Sequence, residues 1–518
     1  MYRSRVSRRS LLATSGAALA SLALPALSRA ASRPIITHGV QSGDVSTGSG
    51  VIWARADRPS RMEVEWSTTE GFSAIGGGAT VDAPAETDFC AKAFMRDLPP
   101  GQTVFYRVRF RDIADANGVS EPLVGRFRTG PLERRDVSFV WSGDTVGQGW
   151  GIDEARGGMT IYAAMRREAP DFFIHSGDTI YADNPLKAEV PLPDGTVWRN
   201  LVTEEKAKVA ETLDEFRGQW RYNLLDRNLR AFNAEVPMLA QWDDHEVVDN
   251  WYPSKMLDAD PRYREKVVAT LAERAARAFH EYVPISANAE DSRRVYRKVA
   301  YGPLLDVFFL DMRSYRAANG PNQQAAEGPD TVFLGAAQLA WLKRELKASR
   351  ATWKVIAADM PLGLVVYDDF RTRSGSEAIA QGNGAPLGRE LEFAGLLAWM
   401  KQEAIRNTVW LTADVHYTAA HRYDPARAVF QNFDPFWEFV SGPLHSGTFG
   451  PNPLDNTFGP EVVFQKVPPA GQFNLAPSVG YQFYGHVRIE GQGERMIVTL
   501  KDATGAGLWS TALDPVRG

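Results

Sequence analysis

The sequence predicts an α/β protein in which a small N-terminal antiparallel β-sandwich is followed by a larger domain of mixed α/β layers. Three observations predict it. From about Ile35 to Gly130 the text runs in short alternating stretches, VIWARA, MEVEWST, FCAKAFM and TVFYRVRF, separated by Gly, Pro, Ser and Asp clusters. That is the period of half-buried strands with turns between them. After Glu133 the rhythm changes to longer apolar runs alternating with helical segments, the pattern of stacked sheet and helix layers. At 518 residues the chain also exceeds one ordinary core, and domain sizes imply roughly two to four units.

The first element in chain order is a leader. MYRSRVSRRSLLATSGAALASLALPALSRAAS has a basic head, an apolar small-residue stretch from Leu11 to Leu27, and Ser28-Arg29-Ala30 as a small-x-small cleavage site. The stretch is short and weakly hydrophobic for a spanning helix. Arg8-Arg9 within SRRSLL resembles the bacterial twin-arginine export signal, with an ordinary secretory signal as the simpler alternative. Residues 1–30 are therefore expected to be a twin-arginine signal peptide. The mature chain is expected to be periplasmic or secreted, exported by the twin-arginine machinery, without a transmembrane anchor, and monomeric. Hydrophobic residues at 44% and charged residues at 23% give the balance of a soluble globular protein. A net charge of −5 offers nothing for electrostatic capture of nucleic acid.

Residues 31–133 carry the expected sandwich. LPPGQTVFYRVRF, residues 98–110, resembles the end of a fibronectin type III domain with Tyr106 as its corner tyrosine, and RFRTGPL would be the last strand and exit linker. Cys90, the only cysteine, falls in a strand and reads as a small buried hydrophobe, so the chain must be stable without an internal disulfide. Export of a folded chain then hints at a cofactor loaded beforehand.

The larger domain is expected over 134–518. SFVWSGD, a helix around Met159–Glu168 and DFFIHSGD form a compact strand-helix-strand unit, with a loop from Gly147 to Gly158. Helices are expected in 203–232, 262–282, 337–349 and 388–405. The tail from Gly480 returns to strand-like text, YGHVRIE and RMIVTLKD, which would complete a sheet.

Six apolar runs of this domain end on aspartate: FVWSGD at Asp144, FFIHSGD at Asp178, MLAQWDDHE at Asp243 and Asp244, VFFLD at Asp311, KVIAAD at Asp359 and VWLTAD at Asp414. One aspartate after a strand is a common turn former or helix cap. For Asp311, followed by MRSYR, capping and ligation are equal readings. Six together, one joined to His245 and one to His416, suggest side chains converging at the carboxyl ends of strands. Crowded carboxylates repel unless something positive sits between them. Oxygen-rich sets with one or two histidines suit Ca²⁺, Mn²⁺, Fe or Zn²⁺, and two such ions can bind a phosphoryl group and activate water.

GDTVGQGWG (143–151), GDTIYAD (177–183), DDHEVVDNW (243–251) and LTADVHYTAAH (411–421) resemble the metal-binding segments of calcineurin-like metallophosphoesterases. With LDMRSYR (310–316), the forms GD-x-x-Y and DDHE point to the alkaline phosphatase D (PhoD-like) branch. The resemblance covers nearly the entire chain and implies a fibronectin III-like β-sandwich followed by a metallophosphoesterase-like α/β/β/α sandwich. It implies that Asp144 holds one metal, Asp178 bridges two, Tyr181 binds the first through its phenolate, and Asp244 binds the second. It further implies Asp414 and His416 as the closing ligands, and His245 as the group that stabilises the phosphoryl oxygens or protonates the leaving alkoxide. Asp244 and Asp414 replace the Asn and His of the wider superfamily. The harder, more anionic site favours Ca²⁺ and Fe³⁺, with Mn²⁺ or Zn²⁺ as alternatives. Thr145 and Val146 follow Asp144 where several PhoD-like proteins have a cysteine ligand near the first motif.

Asp243, Asp359, His421 and Arg217 are further candidates for ligation or substrate contact, Arg217 together with Arg221 on a helix before DDHE. His175 reads as a packed strand residue, His38, His280 and His486 as structural, and His445 as bordering the cleft in a Gly/Ser/Pro loop. The expected function is a metal-dependent phosphatase acting on phosphomonoesters, with phosphodiesters as a second class, by attack of a metal-bound hydroxide. A phospholipase D-like phosphodiesterase is the enzymatic alternative. A non-catalytic surface binding protein is the other, disfavoured because a decayed site has no reason to keep mutually repulsive carboxylates.

Overall fold

The structure, a computed structural model, describes residues 33–288 and 290–517; the expected leader lies outside the described residues. Two large mixed sheets stack face to face. The first has nine strands in the order Gly507–Leu513, Met496–Asp502, Phe483–Ile489, Val137–Ser142, Phe172–Ser176, Met238–Gln241, Ile36–Gly43, Gly50–Ala56 and Cys90–Met95. The second has seven, in the order Arg297–Ala300, Leu305–Phe309, Trp353–Ala357, Thr408–Thr412, Phe436–Val440, Thr418–Tyr423 and Pro460–Lys466. All six strands that the aspartate endings predict are present, three adjacent and parallel in each sheet. The C-terminal strands close the first sheet beside Val137–Ser142, as the tail's pattern predicts.

Strand alternation sets the layers. Phe139, Trp141, Ile174 and Leu239 face Val307, Val355, Leu411 and Phe439 between the sheets. Their neighbours Val140, Phe173 and Ala240 turn outward into a core shared with helices Thr160–Arg167, Leu213–Asn223, Arg227–Asn233 and Val268–Tyr282. Phe308, Ile356 and Trp410 do the same on the other side under Ala336–Ala348 and Glu390–Gln402. The result is an α/β/β/α sandwich. Among the described residues no helix is long and apolar enough to cross a membrane.

Two helix expectations need correction. Residues 203–232 hold two helices, because Thr212 forms a capping box with Glu215 and Asp226 caps a second start by accepting from the Asn228 and Leu229 N–H groups. Residues 262–267 are loop. There Arg262 and Lys266 donate to the carbonyls of Asp183, Leu257 and Asp260, satisfying loop backbone that a helix would not present.

The N-terminal β-rich region is divided between sheets. Ser60–Ser67, Gly77–Ala83, Thr103–Asp112 and Leu123–Arg128 form a four-stranded sheet, whereas Ile36–Gly43, Gly50–Ala56 and Cys90–Met95 extend the nine-stranded one. The seam is the parallel pairing of Gly43 with Met238. A Cβ at Gly43 would lie 2.4 Å from the carbonyl oxygens of Met238 and Pro284, so only glycine permits that approach. Arg217 and Arg221 belong to this junction rather than to a phosphate site. Arg217 pairs with Glu281 at 2.6 Å and donates to the Glu86 carbonyl, and Arg221 pairs with Asp88 and Glu205 at 2.6 and 2.8 Å. With both guanidinium groups engaged beside the β-rich region, neither is offered to a substrate.

Candidate metal centre

The first sheet delivers Asp144, Asp178, Asp243 and Asp244, and the second delivers Asp311, Asp359 and Asp414, all just beyond the carboxyl ends of parallel strands. The chain leaves these strands abruptly. Asp144, Asp178, Asp414 and His416 have φ of 68°, 53°, 63° and 60°, the left-handed region that Asp and His enter more readily than most residues. Backbone bonds knit the turns together: Thr145 N–H donates to the Asp178 carbonyl and Ala413 N–H to the Asp359 carbonyl, both at 2.8 Å. Glu246 braces two of them by accepting the N–H groups of Thr179, Asp243 and Asp178 at 2.6, 2.8 and 3.2 Å. Gly442 crosses directly over Asp144, where a Cβ would fall 2.2 Å from Oδ2.

Three overlapping groups result, Asp144–Asp178–His416, Asp178–Asp244–His245 and Asp243–Asp244–Asp414, each with ligand atoms within 4.8 Å of one another. Asp178 belongs to two of them, the position a bridging carboxylate requires. His416 Nδ1 faces the Gly447 carbonyl at 2.5 Å, so a proton there leaves Nε2 free toward Asp144 Oδ1 at 3.5 Å. The Tyr181 hydroxyl stands 3.1 Å from that same Nε2. His245 is held differently: its Nδ1 meets Asp183 Oδ1 at 2.7 Å, its ring stacks on Tyr181 at 4.2 Å, and Nε2 lies 3.8 Å from Asp249.

Electrostatics separate these groups. Burial, then the neighbouring Asp243, raises the pKa of Asp144 well above the usual carboxylate range. Asp178 is raised by burial and by Asp244 and Asp243, against His245. Asp359 and Asp414 are raised by burial and then by Asp243. Tyr181 is raised by burial and then by Asp178 and Asp144. Burial opposes the imidazolium of His245, but Asp183, Asp244 and Asp178 overcome it and raise that pKa well above its ordinary value. Both oxygens of Asp144, both of Asp359 and Oδ2 of Asp243 are buried with no hydrogen-bond partner. Buried carboxylate oxygens left bare are costly, and a cation is what such a donor set fits.

Two residues of the site escaped the sequence reading. Asp183 lies inside the quoted GDTIYAD and orients His245, a pairing that motif spacing cannot reveal because the partners are 62 positions apart. Arg313 lies inside LDMRSYR, has no solvent exposure, and is surrounded by Asp243, Asp359, Glu377, Asp244 and Asp414. Part of the positive charge among the carboxylates is therefore supplied by the chain itself. The available signal was a basic residue two positions after a strand-end aspartate.

Other candidates fall elsewhere. His421 is not brought to the cluster; on the second sheet its Nδ1 pairs with Glu438 at 3.0 Å, and Glu438 also takes the Tyr423 hydroxyl. Asp359 does reach the cluster, 3.4 Å from Arg313. Asp311 caps its own turn, accepting from Arg313 N–H, Ser314 N–H and the Ser314 hydroxyl at 3.1, 2.9 and 2.6 Å. His445 braces the first loop, its Nε2 3.0 Å from the Gly151 carbonyl. His175 is buried between Thr145 and Thr179, as its strand position implied. His38 and His486 bond Thr37 and Ser138 outside the three groups, and Cys90 is buried in its strand.

Two stacked mixed sheets with a carboxylate–histidine cluster along their joined strand ends define the class of a metallophosphoesterase-like phosphatase. The chain belongs to the PhoD-like phosphatase family: residues 139–500 match the PhoD-like phosphatase and residues 20–131 the PhoD-like phosphatase N-terminal domain. It is similar to alkaline phosphatase D of Bacillus subtilis (strain 168), with 28% identity over 402 residues, 73% of this chain and 64% of that protein. The match thus spans slightly under two thirds of that relative. Its fold is shared with a solved structure of PhoD, at a TM-score of 0.66 and 20% identity over 92% of this chain and 89% of that one. A purple acid phosphatase from yellow lupin seeds shares it at 0.53 and 12%, covering 93% and 74%.

Proposed function

We propose that the chain is an exported, metal-dependent phosphatase that hydrolyses phosphomonoesters, with phosphodiesters as a second substrate class. The observation that carries this is the sharing of Asp178 and Asp244 between adjacent carboxylate–histidine groups, which juxtaposes places for more than one ion. Asp144, Asp178, Tyr181 and His416 would hold one ion, and Asp178 and Asp244 the next, with Asp414 beside Asp244 in the adjoining group. Ca²⁺ and Fe³⁺ suit the oxygen-rich set best, with Mn²⁺ or Zn²⁺ as alternatives. When bound, such ions supply Lewis acidity toward a phosphoryl oxygen and ease deprotonation of water.

The chain's own residues do the rest. His416 is held in one tautomer by the Gly447 carbonyl, and the buried turns fix the carboxylates before substrate arrives. Asp183, 2.7 Å from Nδ1 of His245, favours the protonated ring, which would let His245 act as an acid. Its Nδ1 is committed to Asp183, leaving Nε2 as the atom that gives a proton to the departing alkoxide. The decisive assay offers an aryl phosphate and an aryl phosphodiester to the chain before and after chelation, then restores each metal. Hydrolysis lost on chelation and recovered on metal addition is expected; no hydrolysis of either ester with any metal sinks the proposal.

A further inference from the structure

The Asp243–Asp244–Asp414 group has ligand atoms close enough to hold a cation, yet a nitrogen of the chain already stands among them. Arg313 Nη2 is 2.5 Å from Asp243, 3.8 Å from Asp414 and 3.9 Å from Asp244. The same guanidinium reaches Asp359 through Nε at 3.4 Å and binds Glu377 through Nη1. We propose that Arg313 is a resident counter-charge: its guanidinium fills the cation place of this group, positions the carboxylates around it, and keeps that place closed to metal. The inference rests on the reading that the neighbouring groups bind ions.

Several features fit a permanent fixture rather than a side chain that moves aside. Arg313 is entirely buried, and its turn is clamped at both ends. Asp311 accepts the Arg313 N–H, while Gln338 exchanges two 2.8 Å bonds with the Asp311 backbone. Glu377 is shared with Arg316, whose Nη1 lies 2.9 Å from the same Oε1, and Arg389 holds the Glu377 carbonyl at 2.9 Å. An arginine cannot lose its proton under ordinary conditions, so this charge persists when diffusible ions leave. The other two groups differ. The carboxylates of Asp144 and Asp178 have no Lys or Arg nitrogen within 4.0 Å among the described residues, and the Asp244–His245 group meets Arg313 only at 3.9 Å. One acidic floor thus holds a place filled by the chain beside places left to ions.

Ca²⁺ stoichiometry by equilibrium dialysis and elemental analysis tests this on the full chain. Arg313→Met is expected to bind one more Ca²⁺ per chain than wild type at the same free Ca²⁺, whatever the wild-type count. Arg313→Lys should return to the wild-type count, as should Arg313→Met combined with Asp243→Asn. A purely structural arginine would lower the thermal midpoint in each variant without adding an ion, and an unchanged count in folded Arg313→Met overturns the inference. If that variant does not fold, Asp243→Asn alone decides. Its ion count should equal wild type, because Asp243 serves Arg313, and loss of an ion would overturn the proposal. A wild-type chain that binds no ion counts against the phosphatase reading instead, since the gain on removing Arg313 is scored separately.

Discussion

The two sheets use the same phrase, an apolar strand ending on aspartate, for different ends. On the first sheet Asp144 and Asp178 turn left-handed and share a group with His416, with no Lys or Arg nitrogen within 4.0 Å of either carboxylate among the described residues. On the second, Asp311 folds back to cap its own turn, and Asp359 and Asp414 lie against Arg313, which also reaches across to Asp243 of the first sheet. What differs is the nearest donor. An aspartate whose backbone neighbours satisfy it is a cap, one beside a buried guanidinium is an ion-pair partner, and one with neither, as at Asp144, is the proposed place for a metal. Stability and function are thereby drawn from one recurring element.

The sharpest break of that contrast is at Asp178, shared by two groups. Asp178→Asn should lose or misplace ions and lower turnover by about three or more orders of magnitude while circular dichroism still reports a folded chain; the removed charge is one that metal ligation needs. Near-wild-type activity with normal metal content would erase the distinction between the sheets. His245→Ala comes next. It should retain metal yet slow turnover about 10²–10⁴-fold, the range for lost general-acid help, with esters of good leaving groups losing least. Equal losses on all leaving groups would assign His245 to charge stabilisation only.

Tyr181→Phe sharpens the comparison on the first sheet alone. If Fe³⁺ occupies the Asp144 group, the isolated protein should carry a visible tyrosinate charge-transfer band that this variant removes while leaving the ring stacked on His245. A colourless wild type without iron in elemental analysis would transfer the place to Ca²⁺, Mn²⁺ or Zn²⁺. The smallest effect belongs to the second sheet. Asp311→Ala should lower stability by about 1–3 kcal/mol in denaturant unfolding, because it strands the donors of Arg313 and Ser314. Its metal content should stay at the wild-type value, and a lost ion would make Asp311 a ligand after all.

Much of this molecule was legible in its sequence because the relevant signals are local. Strand period, the polar residue that ends each strand and the helix caps involve neighbours a few positions apart, so six strand ends, their aspartates and the cluster residues around His245 and His416 could be marked directly. Tertiary structure alone decided their roles. Asp243 meets Arg313 across 70 positions, Asp183 meets His245 across 62, and His421, close to His416 in sequence, is taken by Glu438 on the adjacent strand. Arg217 was likewise claimed by Glu281 at the junction with the β-rich region. The physical reason is that a buried charge must find a partner wherever the facing sheets bring one, and sequence spacing carries no record of which sheets face.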